Sequence, residues 1–228
     1  MESVKLPKIQ AEKIAESITN AIMEHRIAPG SKLSESRMAT AFEVSRTKIN
    51  QSLLMLSESG LVQQLPNRGF FVSSPSIDEA KQVFFLRQLL EPEIIKELLK
   101  NIKLKDIKRL HRHLNAEKEA RASSNRRLII RLSGEFHMLL AEMCGNRYIN
   151  KMMAELCPLT CLIIALYDVP NTPACPENEH TTIVAAIESG DEEQAISLMK
   201  HHLTHIEMAL NLDGSNNNNE VDWDKIIG

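Results

Sequence analysis

The chain is poor in the features that mark exported or membrane proteins. Met1 to Lys13 contains no apolar core run, so no secretory signal is expected. No window approaches the roughly 18 apolar residues that a membrane helix needs, so no membrane partner is expected either. The four cysteines, Cys144, Cys157, Cys161 and Cys175, include no CxxC pair. Reduced thiols in a cytoplasmic protein are therefore expected rather than a disulfide framework. Cys157 and Cys161 lie one helical turn apart, but a thiolate metal site would need more of them. Positive charge is not in excess. A net charge of −3 argues against a globally basic nucleic-acid binder, though not against a local basic surface. There is no internal repeat.

What is present is a core-forming composition, with 43% apolar residues over 228 positions. The charge is unevenly spread. Up to Ser74 there are nine Lys/Arg against seven Glu and no Asp, and beyond it 18 against 23. The change of sign suggests two units with different partners. The expected units are residues 1–74, residues 75–212 and a polar, low-complexity tail over 213–228.

In the first unit, Ile14, Ile18, Ala21, Ile22 and Ile27 recur at helical spacing over 9–27, and Pro29-Gly30 ends that helix. Ser34 is positioned to cap a short helix with Met38, Ala39 and Phe42 on its apolar side. Val44 reads as a turn, and Ser45 as the cap of a longer helix running to Ser59-Gly60. Residues 61–65 and Phe70-Phe71-Val72 flank the turn signal Pro66-Asn67-Arg68-Gly69, as two strands of a hairpin would. Short helix, tight turn, longer helix is the helix-turn-helix order, and the hairpin supplies a wing.

The stretch VSRTKINQSLLMLSESGLV (44–62) is polar and basic at its start and apolar along its body. A recognition helix needs that division, because its first turns enter the major groove while the rest anchors it. Arg46 and Lys48 can reach guanine acceptors or phosphates, and Asn50 can pair with adenine. Ser45, Thr47 and the backbone N–H groups of the helix start suit phosphate oxygens. A capped surface helix with solvated charges would share the polarity, but not the wing with Arg68 at its tip.

These residues resemble the winged helix of GntR-type bacterial transcription regulators over 11–72, through IAPGSKLSES, VSRTKINQSLLMLSESGLV and NRGFFV. Members usually carry SRTPVREAL where this chain has Ser45-Arg46-Thr47-Lys48-Ile49-Asn50-Gln51-Ser52-Leu53. Arg46, Thr47, Arg68 and Gly69 match, and Ser36 replaces a common phosphate-contacting Arg, with Arg37 beside it. The resemblance implies binding to double-stranded operator DNA. Lys48, Asn50 and Gln51 depart from the usual residues, so the operator need not follow the family's usual half-site.

Beyond Asp78 the pattern is all-helical, with helices expected near 77–100, 104–121, 124–145, 147–167, 178–189 and 191–211. FLRQLLEPEIIKELL (85–99), EFHMLLAEMCGNRYI (135–149) and EHTTIVAAIESGDEEQAISLMKHHL (179–203) resemble the FCD domain of the FadR-like branch. That domain is a helical bundle that binds small carboxylates, often beside a metal held by one Asp and three His. The resemblance implies His137, His180 and His202 as metal ligands, and each lies on an apolar helical face. A single such histidine is more often a satisfied core residue. His201 and His205 share a more polar face, and His111 and His113 are expected to face solvent.

The family's Asp position is occupied by Ser133, and Glu135 is turned too far round the helix to replace it. Three neutral imidazoles suit Zn²⁺ or Ni²⁺ better than Mg²⁺ or Ca²⁺. Loss of the carboxylate should make the site weaker and more positive, unless the metal has been lost and the histidines bind the effector directly. Arg87 points inward with Ala80, Val83, Phe84, Leu90 and Ile94. It either pairs with Glu91 or grips an effector carboxylate. Ser133 and Asn146 are further effector-site candidates, although Asn146 could equally be a helix cap after Gly145.

The fold expected is mainly α: an N-terminal winged helix-turn-helix of three helices and a small β-hairpin, then an all-α bundle. The expected function is a homodimeric, cytoplasmic transcription regulator, more a repressor than an activator, modulated by a small organic acid. One rival is a regulator whose helical domain only dimerises. Another is a metal-dependent hydrolase, since three His with an open position also describe a catalytic zinc. The absence of HExxH, and of a carboxylate at Ser133, weighs against the latter.

Overall fold

The structure, a computed structural model, describes residues 10–169 and 178–213. Cys175 and all but the first residue of the expected tail lie outside them. Nine helices and one small sheet are described. The head comprises α1 (Ala11–Met23), β1 (Lys32–Leu33), α2 (Glu35–Ala41), α3 (Arg46–Glu58), β2 (Val62–Leu65) and β3 (Gly69–Val72). Its core includes Ile14, Ile18, Ile22, Leu33, Ile49, Leu53, Leu56, Val62 and Phe70, from α1, α3 and the three strands, with Met38 and Ala39 of α2 only partly buried against it.

The expected hairpin is a three-stranded antiparallel sheet of order β1-β3-β2. Lys32 and Leu33 pair with Phe71 and Phe70. Two residues are too few for a period-2 pattern to show in sequence. Ser34 occupies the N-cap position of α2, but its hydroxyl makes no capping bond. In the tight turn the left-handed residue is Glu43 (φ 54°), while Val44 packs against the head core. Leu54 and Met55, on the body of α3, are exposed, so that helix buries a narrower stripe than its leucines suggest.

The remaining helices are α4 (Ile77–Asn101), α5 (Leu104–Ala122), α6 (Arg126–Met143), α7 (Arg147–Tyr167), α8 (Glu179–Ser189) and α9 (Glu192–Met208). Several are started by side chains in the cap position. Ser76 and Glu79 form a reciprocal capping box at α4, and Asn125 and Asp191 cap α6 and α9. One apolar core runs through the six, including Phe84, Ile95, Phe136, Leu140, Ile163, Ile183 and Leu203.

Contrary to the sequence expectation, α7 is long and apolar enough to cross a membrane by length and composition, with a mean hydropathy of 1.5. It is instead the central core helix, packed on α6, α4 and α1. A helix covered on several sides is hydrophobic most of the way round. Its Leu162 belongs to the core of the head, so head and bundle share apolar packing. The contact continues through Met23, which meets Ile130 of α6 and Cys161 of α7. His25 Nε2–H donates to the carbonyl of Cys161 (2.8 Å), and Glu24 pairs with Arg131 (3.1 Å).

Candidate functional site

The amino end of α3 faces solvent. Ser45 caps the helix by accepting from Lys48 N–H (3.3 Å), which leaves Arg46 and Thr47 exposed at its first turn. Arg37 of α2 is exposed, and Lys48 is half-buried. Asn50 is half-buried and donates its amide to Glu35 of α2 (2.9 Å). At the wing, Asn67 and Gly69 take φ of 59° and 88°, and Arg68 projects from the turn over the ring of Phe71. The glycine is required there, because positive φ strains any residue with a Cβ. Lys32 lies over the same ring. Basic groups from α2, α3 and the sheet are thus all accessible.

The second site lies inside the bundle. His137 comes from α6, His180 from α8 and His202 from α9, and all three are buried. Their Nε2 atoms converge, with His180 to His202 at 3.2 Å and His202 to His137 at 3.2 Å. Each Nδ1 is held by a carboxylate. Glu91 of α4 accepts from His137 (2.6 Å), Glu117 of α5 from His180 (2.8 Å) and Glu179 of α8 from His202 (2.6 Å).

This arrangement fixes the tautomers. Burial alone would raise the Glu91 and Glu117 carboxyls. Arg87 and His137 outweigh it at Glu91, and His113 and His180 at Glu117, so both are held at about 2. An ionised carboxylate only accepts, so each Nδ1 carries the proton. Burial also pushes His137 down to about 3 and His202 down to about 4, so neither takes a second proton near neutrality. The Nε2 lone pairs of His137 and His202 therefore face one another, with His180 Nε2 beside them. Like lone pairs at 3.2 Å repel, and a cation placed among them removes the repulsion. A ring nitrogen aimed at a metal with the other nitrogen on a carboxylate is the usual support of such a ligand.

The charge balance corrects the sequence reading. Glu91, Glu117 and Glu179 hold the histidines, so three carboxylates stand around the centre where Ser133 alone suggested none. A divalent cation suits it, and the carboxylate missing at Ser133 is offset from outside the ligand set. Glu117 and the pairing role of Glu91 and Glu179 were not expected from sequence. His113, expected to face solvent, is largely covered and bonds to Leu132 O and Glu117.

Beside the histidines lies a cavity of about 180 Å³ whose wall includes Arg87, Arg121, Arg126, Ser133, His137 and Thr160. Arg87 pairs with Glu91, the first of the two roles considered for it. Its Nε donates to Glu91 (2.7 Å) and its Nη1 to Thr160 (3.2 Å). Its buried Nη2 has no hydrogen-bond partner. An unsatisfied guanidinium N–H in a cavity wall calls for an acceptor oxygen inside the cavity. Cys157 and Cys161 also line the cavity, and burial pushes both thiols up to about 12, so they remain protonated and unreactive.

Asn146 does not belong to this site. It is exposed and caps α7, its Oδ1 accepting from Tyr148 N–H (3.0 Å) and Ile149 N–H (3.3 Å). Gly145 (φ 78°) ends the preceding helix, so the Asn after it begins the next one. Ser133, in contrast, reaches the cavity wall next to His137.

The FCD domain family matches residues 82–205, and the family of bacterial regulatory proteins, gntR family, matches residues 10–72. Among characterised relatives, the HTH-type transcriptional repressor RspR of Escherichia coli is 24% identical over 196 residues, 86% of each chain. The HTH-type transcriptional regulator LutR of Bacillus subtilis is 27% identical over 211 residues, covering 83% of this chain and 95% of LutR. Among solved structures, a GntR transcriptional regulator from Rhodococcus sp. RHA1 superposes with a TM-score of 0.76 at 23% identity, over 90% of this chain and 98% of that one. Escherichia coli McbR/YncC superposes with a TM-score of 0.77 at 16% identity, over 87% and 95%. The relatives are regulators, and nothing favours the hydrolase alternative.

Proposed function

Because the chain belongs to the GntR family of bacterial transcription regulators and carries an FCD domain, we propose that it is a DNA-binding regulator governed by a small carboxylate. The acid would bind next to a metal ion in the helical domain. The orphaned Nη2 of Arg87, in a cavity that also reaches His137, is the observation that carries this reading. His137, His180 and His202 would hold the ion, Zn²⁺ or Ni²⁺ by the chemistry of three imidazoles. When bound, the ion would offer positive charge to one carboxylate oxygen. Arg87 would receive the other, and Ser133 would stand within the same wall. The cavity is small beside those that hold drug-sized ligands, which favours an acid of few atoms.

Coupling to DNA follows from shared walls. Ile130, Gly134 and Cys161 line the cavity, and Met23 of the head packs against the outside of the same residues. An acid that shifts them changes the seat of the head. Differential affinity of about 1–3 kcal/mol would alter operator binding about 5–150-fold. The exposed amino end of α3, Arg37 and the wing with Arg68 would read each half-site, with Lys48 and Asn50 setting base preference. Two heads in a homodimer would match a symmetric operator. Phe85, Leu86 and Leu89 on α4, with Met208 on α9, are exposed apolar groups suited to that dimer contact. Repression is the mode favoured, in keeping with RspR, which is named a repressor.

Elemental analysis of purified protein and calorimetric titration of small carboxylates into it test this reading. At least one equivalent of transition metal, and acid binding that weakens in R87M, are expected. Acid binding unaffected by R87M would overturn the assignment of the effector site.

A further inference from the structure

We propose that Glu179, His201 and His205 form a second divalent-cation site on the surface of the helical domain, distinct from the inner histidine centre but sharing a carboxylate with it. His201 and His205 stand one turn apart on α9, so both rings leave the same helical face. Their centroids are 5.8 Å apart. Glu179 reaches them from the first turn of α8. One ligand atom from each of the three lies within 4.8 Å of the others. Both rings are exposed and can rotate to close that span around one ion.

Glu179 faces both ways. Its Oε2 accepts from His202 Nδ1 (2.6 Å), inside the bundle, and its Oε1 accepts from His205 Nδ1 (2.7 Å), outside it. A plain surface pair would be complete with His205 alone. The addition of His201 at the position one turn before it supplies a second imidazole and makes a chelating pair. His205 also occupies the last turn of α9, where the carbonyl end of the helix favours positive charge. Two imidazoles and one carboxylate select ions of the Zn²⁺, Ni²⁺ or Cu²⁺ kind over Mg²⁺ or Ca²⁺. On binding, the His205 proton would move from Nδ1 to Nε2 by exchange with solvent, and the neutral ring would offer its Nδ1 lone pair to the ion.

The test is a Ni²⁺ titration of the full chain against a competing chromophoric chelator, on the wild type, H201A/H205A and H137Q. The wild type is expected to hold two equivalents of unequal affinity. H201A/H205A, altered only at exposed positions, should lose the weaker and keep the tighter. H137Q should keep the weaker. A wild type with a single equivalent that is lost in H201A/H205A would support the outer site while removing the inner one. Identical stoichiometry in the wild type and H201A/H205A would overturn the proposal. Should H137Q fail to fold, the comparison of the wild type with H201A/H205A decides alone.

Discussion

Replacing Arg87 by Met removes one half of a fully buried ion pair, and its cost can be worked from the geometry. Arg87 and Glu91 are each 2% exposed in their side chains, with Nε to Oε1 at 2.7 Å. Met fills the space of the aliphatic stem, so cavity formation is a minor part of the loss. The main part is that Glu91 stays in the core with its charge and only His137 Nδ1–H as a partner. Removing one partner of a buried pair costs about 3–5 kcal/mol. For a chain of this length each kcal/mol lowers Tm by about 2–4 °C, so a fall of roughly 6–20 °C is expected. R87M/E91Q should be markedly more stable than R87M. Both charges are then gone, and the Gln amide oxygen still accepts from His137. Thermal melting of the metal-free proteins reads all three. A Tm for R87M no further from wild type than a surface substitution gives, about 0.5 kcal/mol, would refute the argument. So would a double variant less stable than the single one.

Four further outcomes are expected. Saturating metal at 100 times its Kd should stabilise the wild type by about 2.7 kcal/mol per site, and H137A/H202A should remove the inner centre's share of the rise in Tm. Arg46→Ala should cost about 1–3 kcal/mol of operator affinity, whereas Arg68→Ala should reduce the salt slope of DNA binding by about one; fluorescence anisotropy at several salt concentrations separates them. A Cβ at Gly134 would come within 2.8 Å of Met23 Cε and 3.2 Å of Cys161 Sγ, so Gly134→Val should force the Met23 side chain aside and raise protease sensitivity at the head–bundle contact while leaving metal binding intact. Burial, the leading cause, lowers the pKa of His25 below its ordinary 6.5. Its neutral form is therefore the one that fits beside Cys161 O, and its contribution to head docking is full above pH 6.5 and lost as pH falls below it; small-angle scattering from pH 8 downward should show loosening that His25→Asn makes pH-independent.

The helices of the bundle and the faces bearing His137, His180 and His202 were legible because 3.6-residue periodicity reports which side of a helix is buried. It does not report what a neighbouring helix places opposite that side. Glu91, Glu117 and Glu179 lie 46, 63 and 23 positions from the histidines they hold. No local pattern connects them, so the charge of the centre was misjudged from Ser133 alone. The recognition helix was legible for the reason that its cap and basic first turn are contiguous. Leu54 misled because leucine on an exposed face looks the same in sequence as leucine in a core. Asn146 was read as part of a pocket or as the end of a helix, when Gly145 already ends it. Gly134 carried no signal, since its role is the room it leaves for a methionine from the other unit.

Under the proposed mechanism, acid binding in the helical domain changes how the heads grip DNA. It is tested most directly by anisotropy of a labelled duplex, selected by the metal-loaded protein from a random library, with and without a carboxylate shown by calorimetry to bind. A shift in operator affinity of about 5–150-fold is expected, and it should disappear in R87M. An acid that binds fully and leaves the affinity for that duplex unchanged would contradict it.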